Sequence, residues 1–244
     1  MTDTALSSSP SATPPMIRVD QVSRVYQQKG GDVYALNQVS LDIQPGEFTV
    51  LMGPSGSGKT TLLNLIGALD LPTEGEVYLN HQAISKLSHK QRTRFRRDQI
   101  GFIFQAYNLL PVLSAYENAE FVLLAQGVPA AKRKAEVYSL LKAVGLEGLE
   151  DRRPTELSGG QQQRVAIARA MAGTPSLILA DEPTANLDSQ TGTDLIKLMK
   201  KLNQEHGLTF VFATHDPQVM AAAHRVIRLV DGQIVEDRQQ TSTL

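Results

Sequence analysis

A glycine-rich segment that ends in lysine and threonine occupies residues 53–60, with the sequence GPSGSGKT. Glycines leave backbone N–H groups free to surround phosphate oxygens, and a following helix start adds partial positive charge. Lys59 could then hold the outer phosphates, and the Thr60 hydroxyl could bind Mg²⁺. The segment, called the phosphate loop below, predicts a nucleotide site. Its expected ligand-contacting residues are Gly53, Pro54, Ser55, Gly56, Ser57, Gly58, Lys59, Thr60 and Thr61.

A carboxylate that could complete the metal site lies much later in the chain. Residues 177–180 form a short apolar run of strand length, and Asp181 follows directly. Oxygen ligands of this kind suit Mg²⁺. The phosphate loop itself has an apolar run before it, at 48–52, and a helical pattern after it. Motif and context together favour a nucleotide loop over a glycine-rich turn that matches by chance.

The elements that must position these residues alternate along the chain. Short apolar runs separated by helical patterns imply a mainly parallel sheet covered on both faces, hence an α/β fold. Alternating apolar residues at 17–22 and 39–43 predict an antiparallel sheet at the amino end. The Asp231-Gly232 pair predicts a tight hairpin near the other end. The remaining apolar runs are 100–104 and 208–213.

Helix signals concentrate in the middle of the chain. Ser114 and Glu117 have the spacing of a capping box, in which each side chain bonds the other residue's backbone N–H. Gly145 follows a helical pattern at 130–144, as glycine commonly ends a helix. We therefore expect this region to be mostly helical.

Composition excludes several classes of protein. Lys plus Arg total 24 against 25 for Asp plus Glu in 244 residues, so the overall charge gives no reason to expect a polyanionic partner. The absence of Cys excludes disulfides, thiolate metal sites and a cysteine nucleophile. No stretch approaches the roughly 20 apolar residues that span a bilayer, so we expect any membrane role to depend on a partner.

The chain divides into one domain and two tails. Residues 1–15 are rich in Ser, Thr and Pro and lack a signal-peptide pattern, which predicts a disordered tail. We expect a single domain over 16–237 and a second tail over 238–244.

Residues 157–161, with the sequence LSGGQ, resemble the signature motif of ABC ATPases, and QQQRVAIARA follows as in that family. The resemblance covers about 17–236 and implies a P-loop NTPase with an inserted helical subdomain at about 106–170. Physically, Ser158 and Gln161 have capping-box spacing, and the two glycines between them leave amides bare at a helix start. The signature therefore predicts a second anion site.

The resemblance implies how ATP is held. In this family two copies pair head to tail, and each ATP lies between the phosphate loop of one copy and the signature of the other. Asp188, in a segment that resembles the D-loop, would lie at the dimer seam. Tyr26 resembles the aromatic residue that stacks on adenine, with Tyr34 as the alternative. The signature residues assigned to nucleotide are Ser158, Gly159, Gly160 and Gln161.

The resemblance also assigns catalytic roles. Glu182 matches the general base that polarises the attacking water, a task that a carboxylate can perform. His215 matches the switch histidine that contacts the γ-phosphate. Gln105 matches the Q-loop residue that senses Mg²⁺ and links the core to the helical subdomain. Lys59 completes the catalytic set, and Thr60, Gln105 and Asp181 form the expected metal set.

Three segments, 53–58, 101–105 and 108–111, look like the branch that contains lipoprotein-releasing, macrolide-exporting and cell-division ATPases. That branch implies a separate permease with few membrane helices and a large extracytoplasmic domain, and a location at the cytoplasmic face of the inner membrane. Residues 108–113 would lie near the docking groove. The cargo would be lipid-linked or hydrophobic.

Two alternative functions remain. The same ATPase could act as a mechanotransducer that controls an extracytoplasmic enzyme, and the sequence does not separate this from transport. A soluble ABC ATPase acting on ribosomes or nucleic acid would carry two cassettes or a coiled-coil insertion, which the sequence lacks, so we expect no nucleic-acid partner. The basic run at 90–97 is typical of a solvated helix face, with lipid or permease contact as the alternative.

Overall fold

The computed structural model describes residues 14–28 and 31–240. Most of the predicted amino-terminal tail, 1–13, and residues 241–244 of the predicted carboxyl-terminal tail lie outside the described residues. The strands are β1 (Ile17–Gln28), β2 (Gly31–Ile43), β3 (Phe48–Met52), β4 (Glu74–Leu79), β5 (Gln82–Ala83), β6 (Ile100–Ile103), β7 (Leu177–Asp181), β8 (Thr209–Ala213), β9 (Arg225–Val230) and β10 (Gln233–Gln239). The helices are α1 (Lys59–Ile66), α2 (His89–Gln99), α3 (Ala115–Ala125), α4 (Ala130–Ala143), α5 (Gly159–Met171), α6 (Ser189–His206) and α7 (Pro217–Ala222), with a 3₁₀ turn at Pro154–Glu156.

Two sheets carry the fold. The larger has the order β10-β9-β3-β8-β7-β6, in which all neighbours are parallel except β9 and β10. The smaller, with the order β2-β1-β4-β5, is antiparallel. The carboxyl ends of parallel strands share one edge of a sheet, so the residues that follow β3, β7 and β8 meet there. The predicted α/β class, with a mainly parallel core and an antiparallel amino-terminal sheet, is confirmed.

The core sheet is buried on both faces, as its apolar strands require. All five residues of β8 are buried. Phe48 on β3 pairs in register with Phe210 on β8, and the Phe48 ring lies 4.5 Å from the ring of Phe212. This packing holds the strand before the phosphate loop against the strand before His215, so the two segments have fixed positions relative to each other.

The local signals in the middle of the chain are borne out. Ser114 caps α3 with both bonds of a capping box. Helix α4 ends at Ala143, and Gly145 has a φ of 76°, in the left-handed region that glycine favours. The basic run lies on α2, which has no buried residue, but Arg96 and Arg97 are half-buried, so the solvated face and the contact with lipid or permease both stay predictions.

The carboxyl end of the domain differs from the prediction. Asp231 and Gly232 both have positive φ, as a two-residue hairpin turn requires, and they join β9 to β10. Strand β10 continues to Gln239, and the Gln240 backbone donates to the carbonyl of His224 at 2.8 Å. The predicted domain end at 237 is therefore too early, because pairing with β9 extends the ordered strand into the predicted 238–244 tail.

Within residues 14–28 and 31–240, no helix has the length and apolar character needed to cross a membrane.

Candidate nucleotide-binding and hydrolysis site

The phosphate loop joins β3 to α1. Gly58, the residue before α1, has a φ of 101°, and a Cβ there would clash with the carbonyl oxygen of Ala35. Only glycine fits this position without strain. The Lys59 ammonium donates to the carbonyls of Gly53 at 2.8 Å and Pro54 at 2.9 Å. The lysine thus lies over its own loop, close to where its charge would meet phosphate oxygens.

The Thr60 hydroxyl and the Asp181 carboxylate lie side by side. Thr60 Oγ1 donates to Asp181 Oδ1 at 3.2 Å. Burial raises the pKa of Asp181, and the negative charge of Glu182 raises it further. The hydrogen bond from Thr60 and the positive charge of Lys59 act in the opposite direction. A hydroxyl, a carboxylate and the nearby Gln105 amide are hard oxygen donors, and this chemistry fits Mg²⁺.

Glu182 follows Asp181 and is held at both carboxylate oxygens. Oε1 lies 2.8 Å from Nδ1 of His215, and Oε2 accepts a hydrogen bond from the Thr214 hydroxyl at 2.8 Å. The Glu182 backbone donates to the Ala213 carbonyl at 2.9 Å, which joins the ends of β7 and β8. The predicted base and the predicted switch histidine are therefore direct neighbours.

A single cavity of about 530 Å³ collects most of the predicted site. It brings together residues from four separate segments of the sequence. Its lining residues are Gly53, Pro54, Ser55, Gly56, Lys59, Thr60, Gln105, Asp181, Glu182 and His215. Ser57, Gly58 and Thr61 shape the loop without lining the cavity, and the Ser57 hydroxyl is buried with no hydrogen-bond partner among the described residues.

The signature segment does not reach this cavity within one copy. Ser158 Oγ accepts from the Gln161 backbone at 3.3 Å, and Gln161 Oε1 accepts from the Ser158 backbone at 2.9 Å, so the predicted capping box is present at the start of α5. Gly160 packs against α6, where a Cβ would overlap the Thr191 methyl group. Neither Ser158 nor Gly159 lines the cavity.

Asp188, predicted at the dimer seam, caps α6. Its Oδ1 accepts from the Thr191 backbone at 3.0 Å, and its Oδ2 accepts from the Thr191 hydroxyl. These bonds lower the pKa of Asp188. It too lies outside the lining of the cavity.

The two candidate adenine-stacking residues lie on the antiparallel sheet. The Tyr26 hydroxyl donates to Asp70 at 3.1 Å, and the guanidinium of Arg24 lies 4.6 Å from the centre of its ring. Tyr26 is 38% exposed and Tyr34 is 58% exposed. Neither lines the cavity.

Three polar side chains that connect the site were not predicted. Thr214 contacts Glu182, Asn186 Nδ2 donates to the Gln105 carbonyl at 2.9 Å, and buried Gln163 on α5 donates to the Pro183 carbonyl at 2.8 Å. Thr214 could have been suspected, because it directly precedes His215 at a strand end. Gln163 lies in the run that follows the signature and Asn186 in the segment that resembles the D-loop, but neither pattern specifies the partner of its side chain.

A phosphate loop on a parallel sheet, with a hydroxyl–carboxylate pair and a second carboxylate in one cavity, defines a P-loop nucleotide-hydrolysing protein. The family model described as "ABC transporter" matches residues 36–185, well over half of the chain. The chain belongs to the ABC transporter family, as an ATP-binding protein that hydrolyses ATP. The predicted resemblance is confirmed.

Individual relatives show which members of this family the chain resembles. It is 46% identical to an uncharacterized ABC transporter ATP-binding protein, MJ0796, of Methanocaldococcus jannaschii, over 92% of this chain and 97% of the relative. The dimeric structure of that cassette in a post-hydrolysis state, bound to ADP and Pi, matches with a TM-score of 0.85, 46% identity and coverage of 92% and 98% of the two chains.

A second group of relatives is longer. The chain is 44% identical to the macrolide export ATP-binding/permease protein MacB 1/2 of Paracoccus denitrificans over 92% of its own length. It spans only 34% of that relative. The expected resemblance to the macrolide-exporting branch is confirmed for the ATPase part.

Proposed function

We propose that two copies of this chain close head to tail around two MgATP and drive a separate membrane permease. One observation carries the proposal: each copy has two glycine-rich helix starts, at α1 and α5, but the cavity at the phosphate loop lacks Ser158 and its neighbours. The signature of a second copy would complete that cavity. The dimeric ADP- and Pi-bound structure of the 46% identical relative supports this arrangement.

Within the closed pair, the residues divide the chemistry. Lys59 and the loop amides bind the phosphates, and Tyr26 stacks on adenine. Thr60, Asp181 and Gln105 would hold Mg²⁺, which would supply positive charge beside the phosphates. The Glu182 carboxylate accepts the proton of the attacking water, while His215 contacts the γ-phosphate. The 2.8 Å contact between Glu182 and His215 supports this division, because it keeps the two side chains together in the cavity that Lys59 and Thr60 also line.

The permease would dock beside β6. A groove of about 430 Å³ there is lined mainly by apolar residues, such as Phe102, Phe104 and Val122. Asn108 and three arginines, Arg96, Arg97 and Arg169, also line it. Val112, in the adjoining segment 108–113, is 72% exposed. An apolar groove next to exposed apolar side chains is typical of a docking surface.

The partner that fits this groove is a permease of the kind fused to the ATPase part in the MacB relatives. We propose that this complex exports or extracts lipid-linked or hydrophobic cargo. The chain would then lie at the cytoplasmic face of the inner membrane, held there by its partner.

A mixing experiment tests the shared site. Ser158→Arg spoils the signature and keeps the phosphate loop, whereas Lys59→Ala does the reverse. Each variant alone should be inactive, and an equimolar mixture should recover up to roughly a quarter of the wild-type rate, because half the pairs are mixed and each holds one complete site out of two. Pull-down of differently tagged copies confirms that mixed pairs form. No recovered ATPase activity in demonstrated mixed pairs would refute the shared site.

A further inference from the structure

Thr214 lies between β8 and His215, and its hydroxyl faces the proposed catalytic carboxylate. The residue is fully buried. Its Oγ1 donates to Glu182 Oε2 at 2.8 Å and accepts a hydrogen bond from the backbone of Asp216 at 3.1 Å. None of the roles assigned above uses this hydroxyl.

The direction of the Thr214 hydroxyl hydrogen is fixed. Because the Asp216 N–H occupies an acceptor position on Oγ1, the hydroxyl hydrogen is left to bond Glu182. The Thr214 backbone donates to the Leu51 carbonyl at 3.1 Å, which anchors the residue to β3. A β-branched side chain on an anchored, buried backbone has little rotamer freedom. Thr214 is therefore a rigid donor.

Asp216, which donates to the Thr214 hydroxyl, is itself bonded by the segment that carries Glu182. Asp216 Oδ2 accepts from the Thr184 hydroxyl at 2.6 Å, and its Oδ1 accepts from the Gln218 backbone at 2.8 Å. Thr184 lies two residues after Glu182, so the hydrogen bonds form a closed circuit. The circuit runs from the Glu182 carboxylate through Thr214 and Asp216 back to Thr184. It joins the loops after β7 and β8 independently of any nucleotide.

The second contact of Glu182 is weaker as an anchor. The His215 side chain is 78% exposed, whereas that of Glu182 is 19% exposed. An exposed ring can turn away, and a glutamate held only by it would regain rotation about its side-chain bonds. A carboxylate has about four lone-pair positions, so the bonds to Thr214 and His215 still leave positions for a water.

We infer that Thr214 is a positioning residue for ATP hydrolysis: its hydroxyl holds one oxygen of Glu182 so that the carboxylate stays aimed at the attacking water. The inference rests on the proposed role of Glu182 as general base. Thr214 is buried and does not line the cavity that holds the phosphate loop. Its loss should therefore lower kcat and leave nucleotide binding almost unchanged.

Two substitutions isolate the hydroxyl. Thr214→Val keeps the shape but removes both the donor to Glu182 and the acceptor of the Asp216 N–H, whereas Thr214→Ser keeps both and removes the methyl group. We expect Thr214→Val to lower kcat by roughly 10- to 100-fold, since a misplacement of about 1 Å at a reacting group costs that order of rate. KM for ATP should change by less than about threefold, and Thr214→Ser should keep most of the wild-type kcat.

A matched control lies on the same strand. Thr209, at the opposite end of β8, is also buried, and its hydroxyl accepts from the Gly46 backbone at 2.9 Å. Thr209→Val removes a buried hydroxyl far from Glu182, so it measures the effect of lost stability alone. Thermal unfolding of each variant shows that the compared samples are folded.

The outcomes separate this inference from the proposed function. A Thr214→Val enzyme with wild-type kcat, alongside an inactive Glu182→Gln enzyme, would overturn the positioning role and leave the base in place. A Thr214→Ser enzyme as slow as Thr214→Val would also overturn it, because the hydroxyl would not be the cause. Wild-type turnover by Glu182→Gln would remove the base itself, and the inference with it.

Discussion

Replacing Glu182 by Gln should separate ATP binding from ATP hydrolysis. The amide has nearly the same shape, its oxygen can accept from the Thr214 hydroxyl, and its nitrogen can donate to Nδ1 of His215. Both hydrogen bonds of 2.8 Å can therefore persist. We expect the folding free energy to change by less than about 1 kcal/mol, the size of one hydrogen bond.

The catalytic effect should be much larger. An amide cannot take a proton from water at neutral pH, and loss of a general base costs about 10²- to 10⁴-fold. At about 1.4 kcal/mol per decade, this corresponds to a barrier higher by about 3–5 kcal/mol. The variant should bind ATP, form dimers and remain trapped in that state.

Single-turnover hydrolysis of radiolabelled ATP measures the rate, and size-exclusion chromatography with ATP and Mg²⁺ measures dimer formation. Glu205→Gln is the matched control, because Glu205 is an exposed carboxylate on α6 whose nearest cation, Lys201, lies 3.7 Å away. The control should hydrolyse ATP at the wild-type rate. If Glu182→Gln hydrolyses ATP within about tenfold of wild type, the loss lies below the range for a general base and the assignment is wrong.

Three further substitutions test the contacts that stabilise the fold around the site. Gly160→Ala places a methyl group against the Thr191 methyl group, so we expect chemical denaturation to show a free energy of unfolding lower by about 1–3 kcal/mol. Thr191→Ser removes the contacting methyl group and should restore most of this loss in the double variant. Burial raises the pKa of Asp181 in the folded protein. The free energy of unfolding therefore decreases as pH rises from the unfolded-state pKa through the folded-state pKa. Asp181→Asn should therefore raise the thermal unfolding temperature of the nucleotide-free protein at neutral pH, with the gain vanishing below about pH 4, where the unfolded-state carboxyl is also protonated; an unchanged or lower temperature at neutral pH would contradict this. Arg225→Met removes the cation that donates to both Asp237 oxygens, at 2.7 and 2.6 Å, and lies 3.5 Å from nearly buried Glu47. Urea denaturation should show a loss of about 3 kcal/mol, so that a loss below about 0.5 kcal/mol would show these ion pairs to be dispensable.

Local sequence signals predicted much of the fold and the site. The phosphate loop, the carboxylate at the end of β7 and the capping box at Ser158 each depend on neighbours within a few residues, so their spacing is visible in the sequence. The hairpin at Asp231 is of the same kind. Parallel strands then bring their carboxyl ends to one edge, and this brings distant segments into one cavity.

Features that depend on contacts between distant segments were not predicted. The bond from Asn186 to the Gln105 carbonyl joins residues 81 positions apart, and neither residue has a pattern that specifies the other. The domain end was placed at 237 because the polar composition of 238–244 carries no strand signal, whereas pairing with β9 extends β10 to Gln239. The choice between Tyr26 and Tyr34 stays a prediction, since neither lines the cavity.

The bonds at Asn186 have a mechanical consequence. Its side chain donates to Gln105, and its carbonyl accepts from the Tyr107 hydroxyl at 3.5 Å, so the segment beside the proposed permease groove is linked to the segment two residues before Asp188. In the proposed head-to-tail pair, a displacement of the permease groove would therefore reach the seam near Asp188 through these hydrogen bonds. In the proposed complex, the state of the permease, and not ATP binding alone, would therefore affect when the two copies close.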